Sequence, residues 1–345
     1  MAETATRGAD IAGRLDLAPE LRLVPAAFHE TYGYEATAVW RAPGSVTLLS
    51  DGDTSLSMAA RWGTIVATHP REDDVIELAL MNRPADRVQV EPARLSPGDA
   101  PPWAAAGLSA VWAMREAGYA PGGTTLLAGV DLPEGVGLGA STATACAVAV
   151  ALRDMHAPEV PTAALPALVD RGLRAFSVTG ERETGRCHAT LFGHARTALL
   201  DDGPEGTLVP FDVESAGLRL VVADTRVRQE PASPVAERAP LREVAKYLSG
   251  GDPAALGAAL NAAHARLRDA GVPTTEQDTV VTAAREAGAL GGRMIWDGPG
   301  RPALLLLRAA DLGPVRTAIT DACVARDLPS PRLLTVTPVA RATEK

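Results

Sequence analysis

The sequence predicts a two-domain α+β protein, and three observations carry that expectation. At 345 residues the chain exceeds one ordinary domain. Strand-like and helix-like runs are both present, but they come in groups and not in strict alternation, which favours α+β over α/β. Apolar residues make up 46% and charged residues 22%, enough for packed cores and free of the bias of disordered chains. With aromatics at only 4%, those cores fall to Ala, Val and Leu.

In chain order, residues 1–20 are polar and mixed, and read as a flexible lead-in. Ala38–Trp40 and Val46–Leu49 are expected as strands around a turn at Ala42–Pro43–Gly44. Apolar spacing from Trp103 to Glu116 predicts a helix. Thr124 to Leu132 alternates as a strand and runs into a glycine-rich turn; the Ala/Val stretch from Ala140 to Leu152 reads as a buried helix. Beyond a boundary placed near residue 213, Leu218–Ala223 is a short strand. Helices are expected near 234–249, 254–270, 276–289 and 311–326, with strands at Arg293–Ile295, Ala303–Leu307 and Leu333–Val336. The expected units are therefore 21–212 and 213–345.

Composition narrows the partners. With 33 basic against 42 acidic residues, general binding to nucleic acid or an anionic membrane is not expected, though a local basic pocket for phosphate is compatible. Cys146, Cys187 and Cys323 are widely spaced, and no HxxxH or HxH pair occurs; neither a disulfide framework nor a tightly bound transition metal is indicated. No leader-like or membrane-length apolar run is present, so a soluble cytoplasmic protein is expected.

The strongest chemical signal is the turn Pro133–Glu134–Gly135–Val136–Gly137–Leu138–Gly139–Ala140–Ser141 between a strand and a helix. Alternating glycines permit close backbone approach and left-handed φ values. The following helix offers orphan N–H groups and a positive dipole end, which favour a phosphate. Ser141 and Thr142 stand in the first helical turn, where a hydroxyl contacts a phosphate or a magnesium ion. A tight turn with ordinary capping residues is the competing interpretation. The spacing matches neither GxxxxGK[ST] nor the dinucleotide fingerprint.

This turn resembles the nucleotide-phosphate motif of GHMP kinases, Pro-x-Gly-x-Gly-Leu-x-Ser-Ser-Ala-Ala. The resemblance extends to the galactokinase branch over nearly the whole chain: Phe28–Gly33 and Ala42–Pro43–Gly44, then Val221–Thr225, His264–Asp269, Asp278 and Ala287–Met294. It implies a ribosomal-S5-like N-terminal domain, a ferredoxin-like C-terminal domain, ATP with Mg²⁺ as cofactor, and a substrate cleft between the domains. It places the nucleotide on Gly135, Gly137, Leu138, Gly139, Ser141 and Thr142, with Ser141 toward Mg²⁺.

Several family positions are altered. Where galactokinases read Gly-Arg-Val-Asn-Leu-Ile-Gly-Glu-His-Thr-Asp-Tyr, this chain reads Gly44 to Ser55 with Ser45 for the arginine, Asp51–Gly52 for Glu-His and Thr54 for the following Asp. Asp53 is the alternative carboxylate if the loop shifts by one residue. Anchoring on Gly193 and the strand Thr197–Leu200 places Arg186 at the family's catalytic Asp. Arginine stays protonated and is no base, though it pairs well with phosphate; a solvated surface arginine is the plain alternative. Trp296 and Asp297 replace residues of the third, glycine-rich motif, Trp296 either packing on the cleft wall or stacking on a ligand. Glu181, Glu183 and His188 are further candidate carboxylate or base groups. The reading that follows is a galactokinase-family protein that keeps a phosphate-binding loop and has lost ordinary galactose phosphorylation, in a binding or regulatory role. Its rivals are an active ATP-dependent kinase of another sugar or alcohol, and a galactokinase with rearranged loops.

Overall fold

The structure, a computed structural model, describes residues 19–52, 54–133, 135–179, 184–229, 238–295, 300–341 and 343–344. Strand β2 (Thr54–Pro70) is the axis of the first sheet. It sends Val66 into one core and Ile65 and Ala67 into another, the period-two alternation of a strand buried on both faces. Strand β1 (Ala38–Asp51) lies antiparallel on one side of it. On the other side lie β5 (Thr124–Val130) along its second half and β6 (Thr197–Leu200) along its first. β3 (Ile76–Leu80) pairs parallel with β5, and β4 (Arg83–Val90), β7 (Thr207–Pro210) and β12 (Thr343–Glu344) complete the eight strands of this sheet.

Helix α1 (Pro19–Tyr32) covers one face with Leu21, Val24 and Phe28. Each such burial contributes about 1.5–3 kcal/mol. The opposite face carries α2 (Ala105–Glu116), α3 (Ala140–His156), α4 (Leu165–Ala175) and α5 (Thr184–Phe192).

The second sheet is antiparallel, in the order β11 (Arg332–Val336), β8 (Leu218–Arg228), β10 (Gly300–Arg308), β9 (Gly291–Met294). Val221, Ala223, Leu305 and Leu307 pack on α8 (Thr275–Glu286) and α9 (Leu312–Val324). The alternate residues Leu220, Val222, Leu304 and Leu306 face α6 (Leu241–Ser249) and α7 (Ala255–Asp269), together with Leu48, Leu56 and Met58 of the first sheet. The two sheets thus share one core along the seam where the glycine-rich turn lies.

Some expectations need correction. The two strands expected around Ala42–Pro43–Gly44 are one strand, β1, with a bulge between Pro43 and Gly44. Proline has no N–H for the ladder, and a bulge accommodates it without ending the pairing. The helix expected from 276 starts one residue earlier, because Thr274 and Gln277 form a reciprocal capping box. Helices α1, α4 and α5 have no counterpart in the sequence reading. Of the expected lead-in, residues 1–18 lie outside the described residues, whereas Pro19 and Glu20 already belong to α1. The start of the helix expected from 234 also lies outside them, and α6 begins at Leu241.

Strand β9 is held by His264 of α7. Its Nδ1 accepts the Met294 N–H at 3.2 Å and its Nε2 lies 3.3 Å from Asp278 Oδ1. That arrangement needs an unprotonated Nδ1. Burial pushes the imidazole below its ordinary range, with Arg268 and Arg293 adding to the effect and Asp278 opposing it. A histidine whose native pKa lies below its unfolded value, about 6.5, refuses a proton that the unfolded chain accepts. Stability is therefore lost as pH falls through about 6.5. We expect the urea midpoint to drop between about pH 7.5 and 5.5, and His264→Gln to flatten much of that drop. Burial also depresses His156, which leaves part of the dependence in the variant. Identical pH profiles for the two proteins would refute the role of His264.

Candidate functional site

The glycine-rich turn joins β5 to α3, and all three of its glycines take left-handed backbone, with φ of 68° at Gly135, 83° at Gly137 and 64° at Gly139. Val136 and Leu138 point into the shared core, and the Leu138 carbonyl accepts the Ser45 N–H at 2.9 Å. The family resemblance sets all three glycines at a ligand, with a tight turn as the alternative. The structure divides them. A Cβ on Gly137 would stand 2.3 Å from Ile295 Cδ1, and one on Gly300 would stand 1.8 Å from the Gly135 carbonyl oxygen. Gly137 and Gly135 therefore also let the turn pack closely on Ile295, just beyond β9, and on β10.

Gly139 faces polar groups instead. A Cβ there would meet Ser45 Oγ at 3.0 Å and Arg186 Nη1 at 3.2 Å. Gly139 is also the N-cap residue of α3 and brings no side chain to the orphan N–H groups of the first turn. Ser141 is half-buried there, and Thr142 is buried.

The side chains around this helix start come from four elements. Ser45 and Thr47 share one face of β1. Arg186 of α5 donates from Nε to Thr47 Oγ1 at 3.3 Å, and Arg293 of β9 donates from Nη2 to the Thr47 carbonyl at 3.2 Å. Ser57 and Ser55 on β2 extend the hydroxyl row, at 3.4 Å from Ser57 to Thr47 and 3.1 Å between the two serines. Arg186 is 6% exposed, Arg293 2% and Ser45 0%, so the plain interpretation of Arg186 as a solvated surface residue does not hold. Ser45 Oγ has no hydrogen-bond partner among the described residues. On the far side of the turn, Asp224 pairs with Arg228 at 3.0 Å and Arg332 at 3.5 Å, and Arg228 Nε lies 3.0 Å from where Gly135 would carry a Cβ.

Ser45, Arg186 and the glycine-rich turn thus come together. Asp51 does not: it is exposed at the tip of the β1–β2 hairpin, about 20 Å along the strand from Ser45. His188 lies two residues from Arg186 on α5 and so faces another way; its Nδ1 is 2.7 Å from Asp201 Oδ1 and its Nε2 3.0 Å from the Pro204 carbonyl. Asp53, Glu181, Glu183, Trp296 and Asp297 lie outside the described residues. Sequence reasoning did not single out Thr47, Arg228 or Arg293 as site residues. Arg293 had a signal, since it stands inside a motif quoted only for the fold.

A helix N-terminus, the Ser45 hydroxyl and the Arg186 guanidinium meet beside Gly139, and each is a group that pairs with phosphate. Among the described residues no three His, Cys, Asp or Glu side chains gather as a metal site, and no helix is long and apolar enough to cross a membrane.

Residues 106–181 match the family model of the GHMP kinases N terminal domain. A galactokinase of Streptomyces coelicolor is 29% identical over 376 aligned positions, covering 91% of this chain and 96% of that protein. The galactokinase of Streptomyces lividans is 26% identical, covering 79% and 82%. Among solved structures, Lactococcus lactis galactokinase complexed with galactose superposes with a TM-score of 0.78 at 20% identity, over 94% of this chain and 99% of that one. Methanococcus jannaschii mevalonate kinase gives 0.63 at 14% identity, over 88% and 98%. Sequence and fold together make this chain a galactokinase-like member of the GHMP kinase superfamily.

Proposed function

We propose that this protein binds the phosphates of ATP at the turn Gly135 to Ser141 and the start of α3, and that it has lost ordinary galactose phosphorylation. The observation that carries the reading is Arg186. Anchored on Gly193 and the strand Thr197–Leu200, the resemblance sets it where galactokinases carry their catalytic Asp, and its guanidinium is buried against Thr47 beside Gly139. A guanidinium holds phosphate oxygens and removes no proton. Bound with the nucleotide, Mg²⁺ would neutralise phosphate charge, and Ser141 is the hydroxyl best placed in the sequence to hold it. Ser45 and Asp51–Gly52 replace the family's arginine and Glu-His pair, so the groups that would recognise sugar hydroxyls are also changed.

A second reading, transfer to another small hydroxyl acceptor, is favoured by the two arginines on Thr47. Phosphoryl transfer relies chiefly on positioning and on neutralising charge. Turnover on a panel of sugars and small alcohols separates the two readings.

Calorimetry and thermal unfolding with Mg–ATP test the nucleotide site. At 100 times the dissociation constant the nucleotide is expected to stabilise the fold by about 2.7 kcal/mol. Neither heat nor stabilisation with Mg–ATP or Mg–ADP at millimolar concentration would remove the reading.

A further inference from the structure

A separate cavity of about 390 Å³ opens along α8, and none of its lining residues belongs to β1 or the glycine-rich turn. Small-molecule sites commonly measure about 300–1,000 Å³. Residues three and four apart share a face of a helix, and the faces of α8 differ in character. Val280, Val281 and Ala284 pack into the core with β8 and β10, whereas Asp278, Thr279, Thr282 and Glu286 line the cavity. Arg268, in the last turn of α7, and Arg326, just past α9, complete its charged lining. Two guanidinium groups and two carboxylates thus face one space, yet among the described residues no ion pair joins them. Asp278 instead meets His264 Nε2 at 3.3 Å, and Arg326 donates to the Ala322 carbonyl at 3.4 Å. Opposite charges held apart across a cavity suit a ligand that carries both signs. A simple anion would also meet the two carboxylates, and a simple cation the two guanidinium groups, each against like charge. A neutral polyol would gain no charge pairing. The Thr279 and Thr282 hydroxyls donate and accept, and so serve either end of a zwitterion.

We propose that this cavity is an effector site for a free α-amino acid. Arg268 and Arg326 take its carboxylate, and Asp278 and Glu286 take its ammonium. Asp278 connects the site to the rest of the molecule. Through it the ligand bears on His264, whose Nδ1 accepts the Met294 N–H of β9, and the neighbouring Arg293 holds the Thr47 carbonyl. An ammonium on Asp278 fixes that carboxylate and with it the histidine tautomer, so an occupied cavity steadies β9. The inference goes beyond the nucleotide reading and does not depend on it; either fails without the other.

Thermal unfolding and calorimetry on the full chain, without nucleotide, make the test. The probes are the free L-amino acids, each in turn at millimolar concentration. At least one is expected to raise the melting temperature saturably. Its N-acetyl form lacks the ammonium and its methyl ester lacks the carboxylate, and each is expected to bind at least about tenfold more weakly. Arg268→Gln and Glu286→Gln are expected to weaken binding of the amino acid by a similar factor. Both side chains are exposed, so these variants keep the fold and stay informative. Hydrogen exchange gives a second readout: with the amino acid bound, the Met294 amide should exchange more slowly, and His264→Gln should abolish that slowing. Absence of binding by every amino acid overturns the inference, as does undiminished binding in both variants. Equal binding of the N-acetyl and ester forms removes the zwitterion as the ligand. Binding that leaves Met294 exchange unchanged removes the effector role.

Discussion

Purified protein supplied with Mg–ATP and galactose is expected to release ADP at about 10⁻² per second or slower. Enzymes commonly turn over near 10 per second, and a positioned general base contributes about 10²–10⁴ of that. On the proposed placement Arg186 takes the base position, and its side chain is buried against Thr47. The proposed changes are not confined to the base. Ser45, which the resemblance sets at the family's arginine, is buried beneath the glycine-rich turn, while Asp51 is exposed at a hairpin tip well away from it. Groups that act together in one site are not restored singly, so Arg186→Asp is expected to leave the galactose rate within about tenfold of the starting value. A coupled ADP-release assay, with galactose and without it, makes the measurement. Galactose-dependent turnover near 10 per second would show that the catalytic position has been misassigned and that the loops supply a base from elsewhere.

Much of this was legible from residue order, and the parts that were not share a physical cause. The strand–turn–helix around Gly135 to Ser141 declares itself through local chemistry, because left-handed glycines and a helix start are short-range features. What each glycine is for is a tertiary matter. Gly137 and Gly135 meet Ile295 and Gly300, residues more than a hundred positions away that no local pattern connects to them. Helix α1 was hidden because Pro25 interrupts the pattern, although Leu21, Val24 and Phe28 keep helical spacing and make up the buried stripe. Pro43 misled in the opposite direction, since proline and glycine signal a turn unless a long neighbouring strand absorbs them as a bulge. Arg293 is as buried as any core residue, which composition does not suggest for an arginine. Its place follows from the second sheet packing against Thr47.

Gly300→Ala is expected to be the most disruptive single methyl in the molecule's ligand-facing seam. Its Cβ would stand 1.8 Å from the Gly135 carbonyl oxygen and 2.4 Å from that carbonyl carbon. Both obstacles are backbone, so no side-chain rotation relieves them, and the turn or β10 must move. Overpacking of this kind costs about 1–3 kcal/mol and sometimes more. Neither partner yields easily. The turn is pinned to β1 through Leu138 and Ser45, and Gly300 is paired with Arg228 of β8 at the edge of a register shift. Displacing the turn carries Gly139 and the start of α3 with it, so nucleotide affinity should fall along with stability. Gly203→Ala is the control, because its Cβ meets nothing within 4 Å and its effect should stay within about 0.5 kcal/mol. Urea unfolding of both variants and a nucleotide titration of each supply the comparison. Equal stability of the two variants would mean that β10 does not rest on the glycine-rich turn, and the seam that gathers Ser45, Arg186 and Arg293 would have to be drawn differently.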